Sequence, residues 1–221
     1  MKPKEKLTEV QFNYYKKDPI VMGPYTSHLW RTDPKHICWS TSRYKFCSKL
    51  LKGKSEVIEV GCGDSTFSPI VAKVVDKLHC IDYEPMLLED NKERLIKNFP
   101  NIDFSLLDIT KGSYRKKCDG VYSLDVLEHI EPSLEDKYFS NICKSLKDDG
   151  ICIIGTPNIT AKEYGTPKEA HINLKSYKDY EKLIKKYFIN GFIFSMNDEI
   201  VHTGFYPMAQ YLIMVGIGIK I

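Results

Sequence analysis

Ser55-Glu-Val-Ile-Glu-Val-Gly-Cys-Gly-Asp-Ser-Thr66 is the stretch from which the rest of the chain is read. Val57, Ile58 and Val60 supply the β-branched run of a parallel strand covered on both faces. Gly61 and Gly63 then let the backbone turn tightly and approach a ligand closely. A helix from about Phe67 to Val75 follows, with Pro69 in its first turn. Strand, glycine turn and helix in succession build a nucleotide site at the carboxyl edge of an open sheet.

Details around the glycines decide which nucleotide. A dinucleotide fingerprint wants a third glycine where this chain has Thr66. It also sets a pyrophosphate at the turn, where Glu59 would oppose the anion. A cationic ligand gains from the same charge, and S-adenosylmethionine carries an ammonium and a sulfonium but no phosphate. The segment Glu59-Val60-Gly61-Cys62-Gly63 resembles the first motif of the class I S-adenosylmethionine-dependent methyltransferases. Ser65 departs from that pattern, which usually has another glycine there.

Later strand ends carry the same message. Leu78-His79-Cys80-Ile81-Asp82 reads as a second strand, with Asp82 placed to bind ribose hydroxyls. Ile102 to Asp108 reads as a third strand, and Asp108 resembles the family position that contacts the adenine amino group. Gly120 to Asp125 reads as a fourth strand, again ending in an acid. Carried over residue by residue, the resemblance implies cofactor contacts from Arg43, Glu59, Gly61, Cys62, Gly63, Asp82, Tyr83, Asp108, Ile109 and Leu124.

The whole chain has 221 residues, 43% of them hydrophobic, which suits one domain with a full core. A net charge of +3 and a pI near 8.3 are too mild to imply nucleic acid. Seven cysteines are scattered and never spaced as Cys-x-x-Cys. That pattern speaks against a disulfide framework and a zinc knuckle, and for a reducing compartment. With no apolar signal core at Met1–Lys6 and no run long enough to span a bilayer, the expected location is the cytoplasm.

Residues 1–53 read as a helical extension and residues 54–221 as the core of a single domain. Asp33 as N-cap, Pro34 at the first helical position and Gly53 as a stop predict a helix from about Pro34 to Leu51. Tyr14, Tyr15, Tyr25, His28, Trp30, His36 and Trp39 line a lid in one reading and pack the helix onto the sheet in the other. In class I methyltransferases such extensions cover the cofactor, so Arg43 or Tyr44 is expected at its methionine carboxylate.

Helices are expected from Glu84-Pro85 to about Asn98, from Ser133 to Leu146, and from Ser176 to Tyr187. Ile151–Gly155 is a fifth strand, and Phe192–Met196 and Ala209–Ile213 complete seven. The expected fold is therefore α/β and doubly wound, a mostly parallel seven-stranded Rossmann-like sheet with an antiparallel end.

Chemistry is expected just past the fourth strand, at Asp125-Val126-Leu127-Glu128-His129. If these residues form a helical turn, Asp125, Glu128 and His129 share a face. Methyl transfer to a hydroxyl needs an in-line acceptor and a base, and His129 has a suitable pKa. His171 competes for that role, and His36 is a third candidate. The constellation also resembles the Glu-x-x-Glu-His of the ubiquinone-pathway O-methyltransferases and small-RNA 2′-O-methyltransferases that use metal. That resemblance implies a divalent ion held by Asp125, Glu128, His129 and His171, with Mg, Mn and Zn all compatible.

Thr156 to Leu174 is long for a strand-to-helix loop, and long loops in compact domains tend to bind ligands. Asn158, Tyr164, His171 and Asn173 are its candidate acceptor contacts. Together with Asp33–His36 and Ser42–Phe46 the loop resembles methyltransferases found with bacterial capsule and lipopolysaccharide genes. The expectation is O-methylation of a small polar acceptor, such as a sugar or surface-polysaccharide precursor. An RNA 2′-O-methyltransferase and a non-catalytic cofactor-binding partner subunit are the alternatives.

Overall fold

The computed structural model describes residues 3–160 and 171–220. Three helices come first: α1 (Lys6–Lys17), α2 (Pro24–Thr32) and α3 (Lys35–Leu50). The core then alternates through β1 (Glu56–Val60), α4 (Ser68–Ala72), β2 (Lys77–Asp82), α5 (Pro85–Leu95), β3 (Ile102–Leu106) and β4 (Cys118–Leu124). It ends with α6 (Glu135–Lys144), β5 (Leu146–Pro157), α7 (Tyr177–Tyr187), β6 (Phe188–Asn197), β7 (Ile200–His202) and β8 (Tyr211–Ile219). Among the described residues no helix is long and apolar enough to cross a membrane.

The sheet runs β3-β2-β1-β4-β5-β8-β6-β7, with β1 to β5 parallel and β8 antiparallel between β5 and β6. It has eight strands, not the expected seven. The additional one, β7, pairs antiparallel with β6 across the Asp198-Glu199 turn, where Asp198 takes a left-handed φ of 48°. Three residues of mixed polarity carry too little pattern to read as a strand.

Alternation along the strands sends side chains to two separate cores. Ile58, Val60, Ile81, Val121, Cys152 and Ile154 pack on one face under Tyr138, Phe139, Ile142, Tyr180 and Leu183 of α6 and α7. Val57, Leu78, Cys80, Tyr122 and Ile153 pack on the other under Cys47 of α3, Val71 and Ala72 of α4, and Leu88 and Leu95 of α5. Covering both faces removes nearly all β1 to β5 side chains from water, which is the main stabilising term of such a sheet. All seven cysteines are free thiols, and six of them are buried as small apolar residues.

The helices follow their local signals with shifts at the ends. Helix α7 starts within one residue of the expected Ser176, which caps it in a reciprocal pair with Asp179. Ser133 instead lies in a 3-10 turn over Pro132–Leu134, one turn before α6 begins. Pro34, not Asp33, holds the N-cap position of α3; Asp33 is the C-cap of α2, and its backbone carbonyl accepts the His36 N–H at 3.1 Å.

Far from the carboxyl edge of the sheet, near the start of the parallel strands, His79 is held between two acids. Its Nε2–H donates to Glu56 at 2.5 Å, and its Nδ1–H lies 2.9 Å from both oxygens of Asp103. Burial lowers the imidazole pKa, but the bonds to Asp103 and Glu56 outweigh it and leave the value raised. Glu56 is held below the usual carboxylate range by Lys116 and His79, and Asp103 by His79 and Lys77 against the effect of burial. Cys118 completes a metal-like donor set with Glu56 and His79, but both imidazole nitrogens are already committed to carboxylates.

The sign of the pH effect follows. The raised His79 stabilises fully below its unfolded pKa of about 6.5 and loses that contribution as pH climbs through the folded value. The lowered acids stabilise above their unfolded values of about 4 and lose it as pH falls through the folded ones. The cluster therefore contributes most at mildly acidic pH. Thermal melts of His79→Gln are expected to show the largest loss against the parent near pH 6 and the smallest near pH 9. An equal loss at both would mean that His79 acts as a neutral packing residue.

Candidate active site

The turn after β1 holds three residues in left-handed backbone: Gly61 at φ 72°, Gly63 at φ 51° and Ser65 at φ 49°. Ser65 thus adopts the conformation that a glycine would take freely, at a cost of about 1–2 kcal/mol for an L-residue. Its hydroxyl donates to the Cys62 carbonyl at 3.3 Å and accepts from the Asn91 amide at 3.2 Å, which offsets the strain. Gly61 is required for a second reason, because a Cβ there would lie 2.3 Å from Val126 Cγ2.

Strand ends surround this turn. Both oxygens of Asp82 accept backbone N–H groups, from Gly63 at 2.9 Å and from Glu84 at 3.0 Å. Asp82 therefore fastens the glycine turn to the end of β2. Asp108 lies two residues past β3, where it caps Thr110 through both N–H and hydroxyl and pairs with Lys111. Tyr83 and Asp108 both line a shallow cleft of about 420 Å³ that Leu106, Leu107, Lys111 and Gly112 complete. Ile109, Leu124 and Cys62 are buried against the core, so their side chains support the site from beneath.

Two expectations need correction. Glu59 does not display a charge at the sheet edge. It is 2% exposed, on the α3 side of β1, where Tyr44 donates to it at 2.7 Å and Cys80 at 3.3 Å. Burial raises its pKa, with the Ser68, Tyr44 and Tyr122 hydroxyls opposing. Tyr44 is thereby committed to Glu59 and does not reach the edge, which leaves Arg43 as the cation of α3 there.

Arg43 is buried and donates to Asp125 at 2.7 Å, with its guanidinium 3.7 Å from the centre of the Tyr211 ring. Asp125 follows β4 with φ 58°, in left-handed backbone that the ion pair holds. The buried Arg43 Nε and Tyr211 hydroxyl have no hydrogen-bond partner among the described residues. Buried donors without a partner are rare in folded proteins, so these two mark the region beside Asp125 as one that calls for explanation.

The second correction concerns the ligand set past β4. Leu127–His129 is a 3-10 turn, and Glu128, His129 and His171 gather with donor atoms within 4.8 Å of one another. Asp125 is outside this group, drawn away by Arg43. The His129 and His171 rings are 5.0 Å apart at 66°, and the Glu128 carbonyl accepts the Ile172 and Asn173 N–H groups that deliver His171. His36 sits elsewhere, its ring 5.2 Å from Trp39.

Asn158 and Asn173 are buried at 2% and 6% exposure. Asn158 donates to the Ala209 and Tyr206 carbonyls, while Asn173 donates to Glu135 and accepts from Lys175. Both anchor the loop ends instead of facing an acceptor. Tyr164 lies outside the described residues.

The sequence reading missed several residues that shape the site. Asn91 donates to the Gly63 carbonyl at 2.7 Å and Arg94 to the Asp64 carbonyl at 2.6 Å, so α5 braces the turn. Thr26, Asp64 and Thr66 tie α2 to it. Only Arg94 carried a sequence signal, as one of four arginines among 32 basic residues.

Strand order, left-handed glycine turn and strand-end acids define a nucleoside-binding α/β enzyme with its site at the carboxyl edge. A family model described as "methyltransferase domain" matches residues 51–200, and the chain belongs to that family. A ubiquinone biosynthesis O-methyltransferase of Rickettsia felis is 26% identical over 82% of this chain and 73% of its own length. The N-methyltransferase NodS of Bradyrhizobium japonicum, solved with S-adenosyl-L-homocysteine, superposes with a TM-score of 0.61 at 18% identity, over 86% of this chain and 91% of that one. A Clostridium acetobutylicum S-adenosylmethionine-dependent methyltransferase superposes with a TM-score of 0.66 at 12% identity, over 97% of this chain and all of that one. The protein is an S-adenosylmethionine-dependent methyltransferase.

Gly61 offers a direct test of the turn. Gly61→Ala places Cβ against Val126 and forces a left-handed alanine at about 1–2 kcal/mol. The variant is expected to melt several degrees lower and to lose S-adenosylmethionine binding in a titration. Adding Val126→Ala should recover part of the melting temperature, because it removes the clash but leaves the backbone strain.

Proposed function

We propose that the chain methylates a hydroxyl oxygen of a small polar acceptor, a sugar or surface-polysaccharide precursor first among them, with His129 as the base. The observation that carries this reading is the His129 and His171 pair beside Glu128, just past the end of β4. A hydroxyl is a poor nucleophile until its proton leaves, and an imidazole gives about 10²–10⁴-fold for that step. His171, pinned through the Glu128 carbonyl, orients the pair. When bound, the cofactor supplies a methyl group on a cationic sulfur.

Arg43 and Asp125 are the groups of this chain suited to the cofactor's amino-acid tail, Arg43 for its carboxylate and Asp125 for its ammonium. Asp82 and the Tyr83–Asp108 cleft suit the ribose and adenine. The left-handed glycines and the two orphaned donors support that fit.

A metal-assisted route is the second reading, favoured by the convergence of Glu128, His129 and His171 donors. An ion there would draw the proton off the acceptor by polarising its oxygen. An RNA acceptor has less support from the composition, with a net charge of only +3 and four arginines among 32 basic residues. The named activity of the Rickettsia felis relative supports an oxygen acceptor and adds phenolic compounds to the panel.

The test is methyl transfer from labelled S-adenosylmethionine to nucleotide sugars, phenols and short RNA, with and without Mn and a chelator. His129→Ala is expected to cut turnover at least about 100-fold while cofactor affinity stays within about twofold. Full turnover in both His129→Ala and His171→Ala would overturn the base assignment. Loss of turnover with chelator, restored by Mn, would select the metal-assisted route.

A further inference from the structure

The turn that receives the cofactor also caps a helix thirty-eight residues earlier in the chain. Asp64 accepts the Thr26 N–H at 2.7 Å and the Thr26 hydroxyl at 3.2 Å, and Thr66 Oγ accepts the Gly23 N–H at 2.9 Å. These bonds satisfy donors at the start of α2 that no side chain of the helix itself caps. The fit is close, since a Cβ on Gly23 would lie 2.5 Å from Asp64. Thr26 is 1% exposed, the only buried residue of α2. Burial of this one polar contact, and not an apolar stripe, seats the helix.

Tyr25 is carried next to Thr26 and remains 54% exposed. Its hydroxyl is raised in pKa by burial first, then by Asp125, with Arg43 opposing and Asp64 adding. Through its neighbour Thr26, bonded to Asp64, Tyr25 is held on the turn side of α2, where the charges of Asp125, Arg43 and Asp64 act on its hydroxyl. The Asp64 backbone is itself fixed by Arg94, so the position of Tyr25 is indexed to the turn through Asp64.

We propose that Asp64 is a positioning residue that clasps α2 to the cofactor turn, and that Tyr25 thereby forms a wall of the cofactor's amino-acid subsite. The clasp does not depend on which acceptor is methylated. Asp64→Ala removes the cap and should free α2, whereas Tyr25→Ala should remove the wall and leave the clasp in place.

Two measurements separate these effects: calorimetric titration with S-adenosylmethionine, and the rate of tryptic cleavage after the exposed Arg31 of α2. Asp64→Ala is expected to raise Kd about tenfold, the equivalent of one charge-assisted hydrogen bond, and to speed cleavage at Arg31. Tyr25→Ala is expected to raise Kd by a similar factor with cleavage at the parent rate. Faster cleavage in Asp64→Ala with an unchanged Kd would overturn the proposal and leave the clasp as a purely structural cap. No change in either readout would overturn it as well. If Asp64→Ala melts below the assay temperature, Gly23→Ala, whose Cβ would lie 2.5 Å from Asp64 and push α2 off it, replaces it and is judged by the same two readouts. Failure of the unmodified chain to bind S-adenosylmethionine would contradict the cofactor itself, while cleavage at Arg31 would still judge whether the clasp holds α2.

Discussion

The backbone of the six-residue turn after β1 is the constraint on which the site depends. Three left-handed residues in five positions leave its carbonyls and N–H groups pointing outward, unlike those of a helix or strand. The end of β2 takes up the N–H groups and α5 the carbonyls. Gly61 and Cys62 donate to the Ile81 carbonyl, Gly63 to Asp82, and the Gly63 and Asp64 carbonyls accept from α5. The Asp64 and Thr66 side chains hold α2. Elements far apart in sequence are thereby registered against one loop, which is how a site can be made rigid without a large apolar contact.

A second constraint works from the other side of the cleft. The Arg43–Asp125 pair joins α3 to the end of β4, with Arg43 buried and Asp125 half exposed. Desolvation of a guanidinium costs much of what the pair gains, so the pair is a weak source of stability. Its worth lies in geometry: it holds Asp125 in left-handed backbone and turns it from the Glu128, His129 and His171 group. Two acids three residues apart are thus sent to different partners, Asp125 to Arg43 and Glu128 to the two histidines.

What the sequence reveals and what it conceals divide along physical lines. β-branched runs and flanking glycines made β1 and β5 legible, because burial on both faces writes itself into every residue, while closing acids marked β2 and β4. The cap that starts α7 is local, Ser176 with Asp179 three residues on. The cap of α2 comes from Asp64, and no local pattern signals a bond spanning thirty-eight residues. Helix α1 has no buried residue: its Leu7, Val10 and Tyr14 fall at helical spacing yet stay exposed, so no core contact fixes its position. Glu59 was misjudged because sequence gives its position beside the turn but not the face of the strand, and alternation sends it under Tyr44 instead of toward the ligand. The strand-end acids Asp82, Asp108 and Asp125 were found, yet their bonds to Gly63, Thr110 and Arg43 were invisible.

The same distinction between position and direction explains the asparagines after β5. Both sit in a long loop, where polar residues suggest contact with a ligand, yet both are buried and fully engaged. The Asn158–Lys175 bridge and the Ile159 N–H to Lys175 carbonyl bond bring the chain back beside the point it left. His171 is then set by the Glu128 carbonyl through Ile172 and Asn173. Its placement beside His129 therefore rests on backbone bonds made by the residues that follow it, where the chain has already returned to the end of β5.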